Sequence, residues 1–244
     1  MPRHARCELA GGLHHVTAKS PSGRLLFPDD RARHFYLQLV THEVREREWR
    51  VLTYCLLGNH LHLLVLTPYP NLGDGFKRMH EDFARYLNRS LGMKGPVFAE
   101  RFHNKIVRDD AHAIACLRYI ARNPVSAGIA SEADRWHWSA HGALAGLVPA
   151  PAFLDVRTAL AFLDEDQRRA RMAYRRLVAM NDQALLGELE RTSDRWMIDA
   201  VDNYGLDITQ LAAFLNLSTS RTYRRLTAAR ATLGTVPGVA SAEG

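Results

Sequence analysis

The sequence predicts an α+β protein: a ferredoxin-like (RRM-like) antiparallel sheet with helices on one face, followed by a small all-α helix-turn-helix unit. Three observations predict it. Between residues 12 and 124 the apolar spacing switches between period two and periods of three to four in the order β-α-β-β-α-β-α, and the first six elements have the order of split βαβ units. Two strand patterns meet at Gly58-Asn59, the signature of a tight hairpin. Beyond about residue 138 the strand signals stop and helical spacing takes over.

The first strand is Gly12 to Lys19, where Leu13, His15 and Thr17 alternate with His14, Val16 and Ala18. Asp29 and Asp30 offer a cap to a helix from Arg31 to about Glu48, with Phe35 and Leu39 at helical spacing. Trp49 to Leu57 and His60 to Thr67 are the hairpin strands, the second stopped by Pro68. From Asn71 to Leu91 the residues Leu72, Phe76, Met79, Phe83, Tyr86 and Leu87 mark an amphipathic helix. A turn from Gly92 to Pro96 leads to a fourth strand, Val97 to Arg108. Asp109 and Asp110 cap a helix from about His112 to Arg122, which Pro124 is expected to end near Asn123. The Ala-, Gly- and Pro-rich stretch Gly142 to Pro151 reads as a linker. The expected organisation is a domain over 1–150, a basic helical connector over 151–181, a helical unit over 182–235 and a tail over 236–244.

A chain of 244 residues buries enough surface to fold without disulfides or a structural metal. Its 47% hydrophobic and 24% charged residues exclude disordered and collagen-like classes, and no apolar run is long enough to span a bilayer. No signal-peptide core follows Pro2, Arg3, His4 and Arg6, so a cytoplasmic location is expected. Cys7, Cys55 and Cys116 are widely spaced with no CxxC pair, which suits a reducing compartment. Thirty-two Lys and Arg against 26 Asp and Glu give a net charge of +6, a balance that favours a polyanionic partner.

His60 and His62 lie two apart in a strand pattern, so both imidazoles leave the same side of the sheet. Such a pair can hold one divalent cation, and it equally fits the solvated face of a hairpin. The adjacent His14 and His15 leave opposite faces and lack that geometry. Tyr119 and Asn123, four apart before Pro124, project from one helix face. A phenol oxygen is a nucleophile, and a carboxamide oxygen is a hard neutral ligand suited to Mg²⁺ or Mn²⁺.

Two strings resemble the signature motifs of the single-tyrosine HUH transposases of insertion-sequence type, specifically the REP-associated tyrosine transposase branch: Leu57-Gly58-Asn59-His60-Leu61-His62 and Arg118-Tyr119-Ile120-Ala121-Arg122-Asn123-Pro124. Phe98 to Phe102 is similar to the family's F-x-x-R-F and Trp138-Ser139 to its W-S, so the resemblance covers roughly residues 10 to 146. Glu100 stands where the family often has Gly. The resemblance implies a domain that cleaves and rejoins single-stranded DNA. His60 and His62 would hold Mg²⁺ or Mn²⁺, Asn123 would be a third ligand or orient one, and Tyr119 would be the nucleophile that forms a 5′-phosphotyrosine link.

Lys77, Arg78 and Arg85 on the second helix, with Arg101, Lys105 and Arg108 on the fourth strand, are candidate phosphate contacts beside that metal. Alternation in that strand would put Arg101 and Lys105 on one face. Phe102 and His103 are candidates for stacking on bases, with core packing the alternative for Phe102. Residues 208–226 read as a short helix, a turn at Asn216-Leu217-Ser218 and a second helix capped by Ser218 that carries Arg221, Arg224 and Arg225, a helix-turn-helix pattern. It would add duplex DNA to a single-stranded or hairpin DNA partner. The expected function is a metal-dependent, transposase-like single-strand DNA endonuclease and strand transferase, nucleoid-associated and compatible with a homodimer. The alternative is a catalytically silent DNA-binding regulator. An RNA-binding module shares the topology, but its aromatic strand signature is absent.

Overall fold

Alternation builds the first strand. In the computed structural model, which describes residues 8–192, 195–202, 204, 206–215 and 217–233, β1 (Gly12–Lys19) buries His14, Val16 and Ala18 on one side. It leaves His15 and Thr17 half-buried and Lys19 exposed on the other. Next come α1 (Asp30–Arg47), β2 (Arg50–Leu56), β3 (His60–Thr67), α2 (Leu72–Leu91) and β4 (His103–Ile106). The strands form one antiparallel sheet in the order β2-β3-β1-β4, the ferredoxin-like arrangement expected. α1 and α2 pack together through Phe35, Tyr36, Phe83 and Tyr86. Right-handed crossovers place both on the face that buries Val16 and Ala18.

The hairpin turn is tight, with the Leu57 N–H donating to the His60 carbonyl at 2.9 Å. Neither Gly58 nor Asn59 has a positive φ, so it is not a primed turn. The preceding loop clamps it instead: Leu26 and Phe27 N–H groups donate to the Gly58 carbonyl, and Ser20 donates to that of Asn59.

Two boundaries differ from expectation. β4 spans four residues, not the stretch from Val97 to Arg108. Its register would set Arg101 opposite Lys19, yet the Lys19 carbonyl accepts from Ala99 N–H, so residues 100–102 bulge out of the ladder. Arg101 and Arg108 therefore flank the strand, and the alternation argument does not apply to them. The following helix, α3 (Asp110–Ser126), is capped by the Asp109 carboxylate accepting from His112 N–H at 2.8 Å, and it runs through Pro124 rather than ending before it. As the third-last residue of the helix, Pro124 removes a single backbone donor. The Asn123 carbonyl still accepts from Ala127 N–H.

α3 carries Tyr119, whose ring meets His15 and His62, so this helix lies on the half-open face of β1 and both faces of the sheet bear helices. Trp136 to Ala140 close the β2 edge: Leu56 N–H donates to the Trp138 carbonyl and Ala140 N–H to that of Tyr54. Beyond them are α4 (His141–Leu144), α5 (Val156–Ala161) and α6 (Gln167–Ala179). The first compact unit is Met1–Val178 and the second Ala179–Gly244. Phe153, Leu154, Leu160 and Tyr174, in the stretch expected to be a connector, join the core of the first unit.

In the second unit α7 (Asp182–Thr192), α8 (Trp196–Asp202), α9 (Ile208–Leu215) and α10 (Thr219–Leu233) enclose Leu185, Leu186, Leu189, Ala200, Leu206 and Leu211. The Ser218 hydroxyl accepts from Arg221 N–H at 3.3 Å, capping α10 as expected. Cys7, Asn216 and the tail over 236–244 lie outside the described residues. Among the described residues no helix is long and apolar enough to cross a membrane.

Candidate active site

β3 opens at His60, and the two-residue period turns His60 and His62 to the same side, with ring centroids 5.2 Å apart. Pairing with β1 sets Lys19 opposite His60 and Thr17 opposite His62, so His15, two residues before Thr17, shares that side on the diagonal. Its Nε2 is 3.1 Å from His62 Nδ1. Sequence spacing set His14 and His15 aside as a pair, and His14 is indeed buried on the opposite face. The signal for His15 was cross-strand register, not local spacing.

Above these rings α3 presents one helical stripe. The Tyr119 ring lies 5.4 Å from His62 and 5.7 Å from His15, edge-on to both, and Asn123 Oδ1 is 3.1 Å from His60 Nε2. Asn123 is buried and also hydrogen-bonds Tyr119. The structure thus brings Tyr119, His60, His62 and Asn123 together and adds His15.

Burial sets the protonation. Desolvation lowers the pKa of His62 well below the ordinary imidazole value, helped by His15 and His60. It lowers His15 to about 4, with Lys105 and His112 adding repulsion. His60 is lowered by burial and raised by its bond to Asn123. All three rings are therefore neutral near pH 7 and each keeps one lone pair. Burial pushes the Tyr119 phenol up while the Asn123 hydrogen bond pulls it down. Burial also pushes Cys116, one helical turn before Tyr119, up to about 12, an unreactive thiol.

Among the described residues no group of three His, Cys, Asp or Glu side chains is arranged to hold a metal. The converging donors are two imidazoles and an amide oxygen, a neutral set that could hold a divalent cation. His60 Nδ1 is 2.7 Å from Asn59 Oδ1 and Nε2 is 3.1 Å from Asn123 Oδ1; a neutral ring has one hydrogen and can donate to only one of these two oxygens, the shorter contact favouring Nδ1.

The candidate DNA contacts are dispersed. Lys105 is exposed on β4 opposite His15 and acts on both His15 and Cys116. Lys77, Arg78 and Arg85 are exposed on α2, across the sheet from the imidazoles rather than beside them; Arg78 pairs with Glu43 and Arg85 with Asp82. Arg101 lies with Lys77 on a cleft of ≈ 700 Å³ floored by Phe76, Phe98 and Phe102. Phe102 is buried against Phe76, whereas His103 is exposed and pairs with Glu100. Arg108 is exposed after β4. In the second unit Arg221, Arg224 and Arg225 are exposed on α10, whose inner face holds Thr222 and Leu226.

Fold and site together define an α+β protein of ferredoxin-like topology with a phenol-bearing helix laid over imidazoles on the open sheet face. Among solved structures, a REP-associated tyrosine transposase bound to a REP hairpin shares this fold at 19% identity and a TM-score of 0.52, covering 64% of this chain and 94% of that one. No protein-family model and no curated protein matches the chain.

Proposed function

We propose that this protein is a metal-dependent, transposase-like endonuclease and strand transferase for single-stranded DNA of hairpin or repeat origin. The observation that carries the reading is the convergence of Tyr119, His60, His62 and Asn123 from β3 and α3 on one half-open face. The shared fold supports it, because the matched transposase was seen with hairpin DNA.

His60, His62 and Asn123 would hold the cation and Tyr119 would supply the nucleophile. Bound Mg²⁺ or Mn²⁺ would polarise the scissile phosphate and neutralise charge growing on its oxygens. The Tyr119 oxygen attacks phosphorus, the bond to the 3′ oxygen breaks and a 3′-hydroxyl leaves, giving a 5′-phosphotyrosine. The link conserves the phosphodiester, so a free 3′-hydroxyl can reverse the attack and join a different end. To react, the phenol must shed its proton, which burial opposes and the Asn123 hydrogen bond favours.

A second reading is favoured by one observation, the exposed Arg221, Arg224 and Arg225 on α10: a DNA-binding regulator that engages duplex DNA without turnover. Hairpin-forming oligonucleotides labelled on either side of the cut, with Mg²⁺ or Mn²⁺, separate the two. The endonuclease yields protein-linked 5′ ends that disappear in Tyr119→Phe. Identical gels from wild type and Tyr119→Phe overturn it in favour of the regulator.

A further inference from the structure

We infer that His15 is a positioning residue that fixes the tautomer of His62, holding the hydrogen on Nδ1 so that Nε2 is left free for a divalent cation. The inference rests on the proposed cation site and goes beyond its ligands to the residue behind one of them.

The geometry carries it. His15 Nε2 and His62 Nδ1 are 3.1 Å apart, and a contact that short between two neutral rings is an N–H···N hydrogen bond. A neutral imidazole has one N–H, so the bond has two directions with opposite consequences. If His62 Nδ1 donates, Nε2 keeps its lone pair. If His15 Nε2 donates, His62 carries its hydrogen on Nε2 and has no lone pair left for a cation.

The neighbouring ring favours the first direction. His60 Nδ1 faces Asn59 Oδ1 at 2.7 Å, closer than Asn123 Oδ1 lies to Nε2 at 3.1 Å, so the shorter contact favours the hydrogen on Nδ1 and the lone pair on Nε2. Each imidazole of the pair is thus held from behind at Nδ1, one by an amide oxygen and one by His15. Metal-binding histidines are ordinarily oriented through the second nitrogen in this way. The chain builds the support from β1: burial of Val16 and Ala18 on one side forces His15 onto the other, and antiparallel pairing brings it diagonal to His62.

The test uses the full chain and two variants, His15→Phe, which keeps a ring without an acceptor, and His15→Gln, which returns an amide oxygen near Nε2. Long-range ¹⁵N–¹H spectra of the imidazoles without metal should show wild-type His62 as the Nδ1–H tautomer. Mn²⁺ titration calorimetry should show affinity falling about 10- to 100-fold in His15→Phe and recovering to within about threefold in His15→Gln. Wild-type His62 found as the Nε2–H tautomer overturns the inference, as does His15→Phe that folds and binds Mn²⁺ as tightly as wild type. A wild type that binds Mn²⁺ with His62 as Nδ1–H and yet never forms a DNA adduct overturns the endonuclease reading and leaves the role of His15 standing. A wild type that binds no Mn²⁺ overturns both.

Discussion

Asn123→Ala tests the centre of the site, because one buried amide meets both the imidazole of His60 and the phenol of Tyr119. It is 7% exposed, faces His60 Nε2 at 3.1 Å and hydrogen-bonds the Tyr119 hydroxyl. Truncation removes the hydrogen bond to Tyr119 and leaves its hydroxyl partly shielded from water, at a cost of about 1 kcal/mol. For a chain of this size that lowers Tm by about 2–4 °C. The chemical effect has a definite sign. Loss of the hydrogen bond that pulls the phenol pKa down leaves burial unopposed, so the pH profile of adduct formation, which rises as the phenol ionises, moves to higher pH. Calorimetric melting and single-turnover adduct formation between pH 7 and 10 measure the two effects. A variant whose melting temperature moves by less than about 1 °C and whose pH profile does not shift would refute the claim that this amide joins the imidazole to the phenol.

Gly75→Ala should destabilise although alanine favours helices, since its Cβ would come within 2.4 Å of the Trp49 ring, which is 2% exposed; overpacking at about 1–3 kcal/mol outweighs a propensity gain of about 1 kcal/mol, and an unchanged or raised Tm would count against the packing described. Burial pushes the Tyr54 phenol up to about 12, so the folded state keeps a proton that the unfolded chain loses near pH 10. Stability from this group is whole below pH 10 and falls by about 3 kcal/mol as pH rises to about 12, and Tyr54→Phe should flatten that part of the urea-midpoint curve. Lys105→Ala should reduce the slope of log affinity for single-stranded DNA against log salt by about 0.7, whereas Arg85→Ala, on α2 and paired with Asp82, should leave it unchanged. Equal slopes for Lys105→Ala and wild type would remove Lys105 from the DNA path.

Wherever chemistry follows local periodicity, the sequence was legible. The two-residue spacing of His60 and His62 and the four-residue spacing of Tyr119 and Asn123 each define a face without knowledge of a partner, and both pairs share a face in the structure. The order of strands and helices was equally plain, because each split βαβ unit announces itself by a change of period. What local pattern does not contain is what one element does to another. β4 is short because the Lys19 carbonyl captures Ala99 N–H two positions out of register, a choice made between strands far apart in sequence. α3 continues through Pro124, which falls in its last turn, where the Asn123 and Pro124 carbonyls still accept from Ala127, Ile129 and Ala130 N–H. Residues 153–178 join the first core through Phe153, Leu154 and Tyr174, though an Ala-, Gly- and Pro-rich stretch precedes them. His15 is the instructive case. The chain offers two adjacent histidines, and nothing intrinsic to either decides which meets His62. Val16 and Ala18 decide it: their burial under α1 and α2 sends His14 inward and His15 to the open face. A one-residue slip of β1 would exchange the two histidines and expose the apolar pair, so the packing of the core selects the imidazole that stands behind His62.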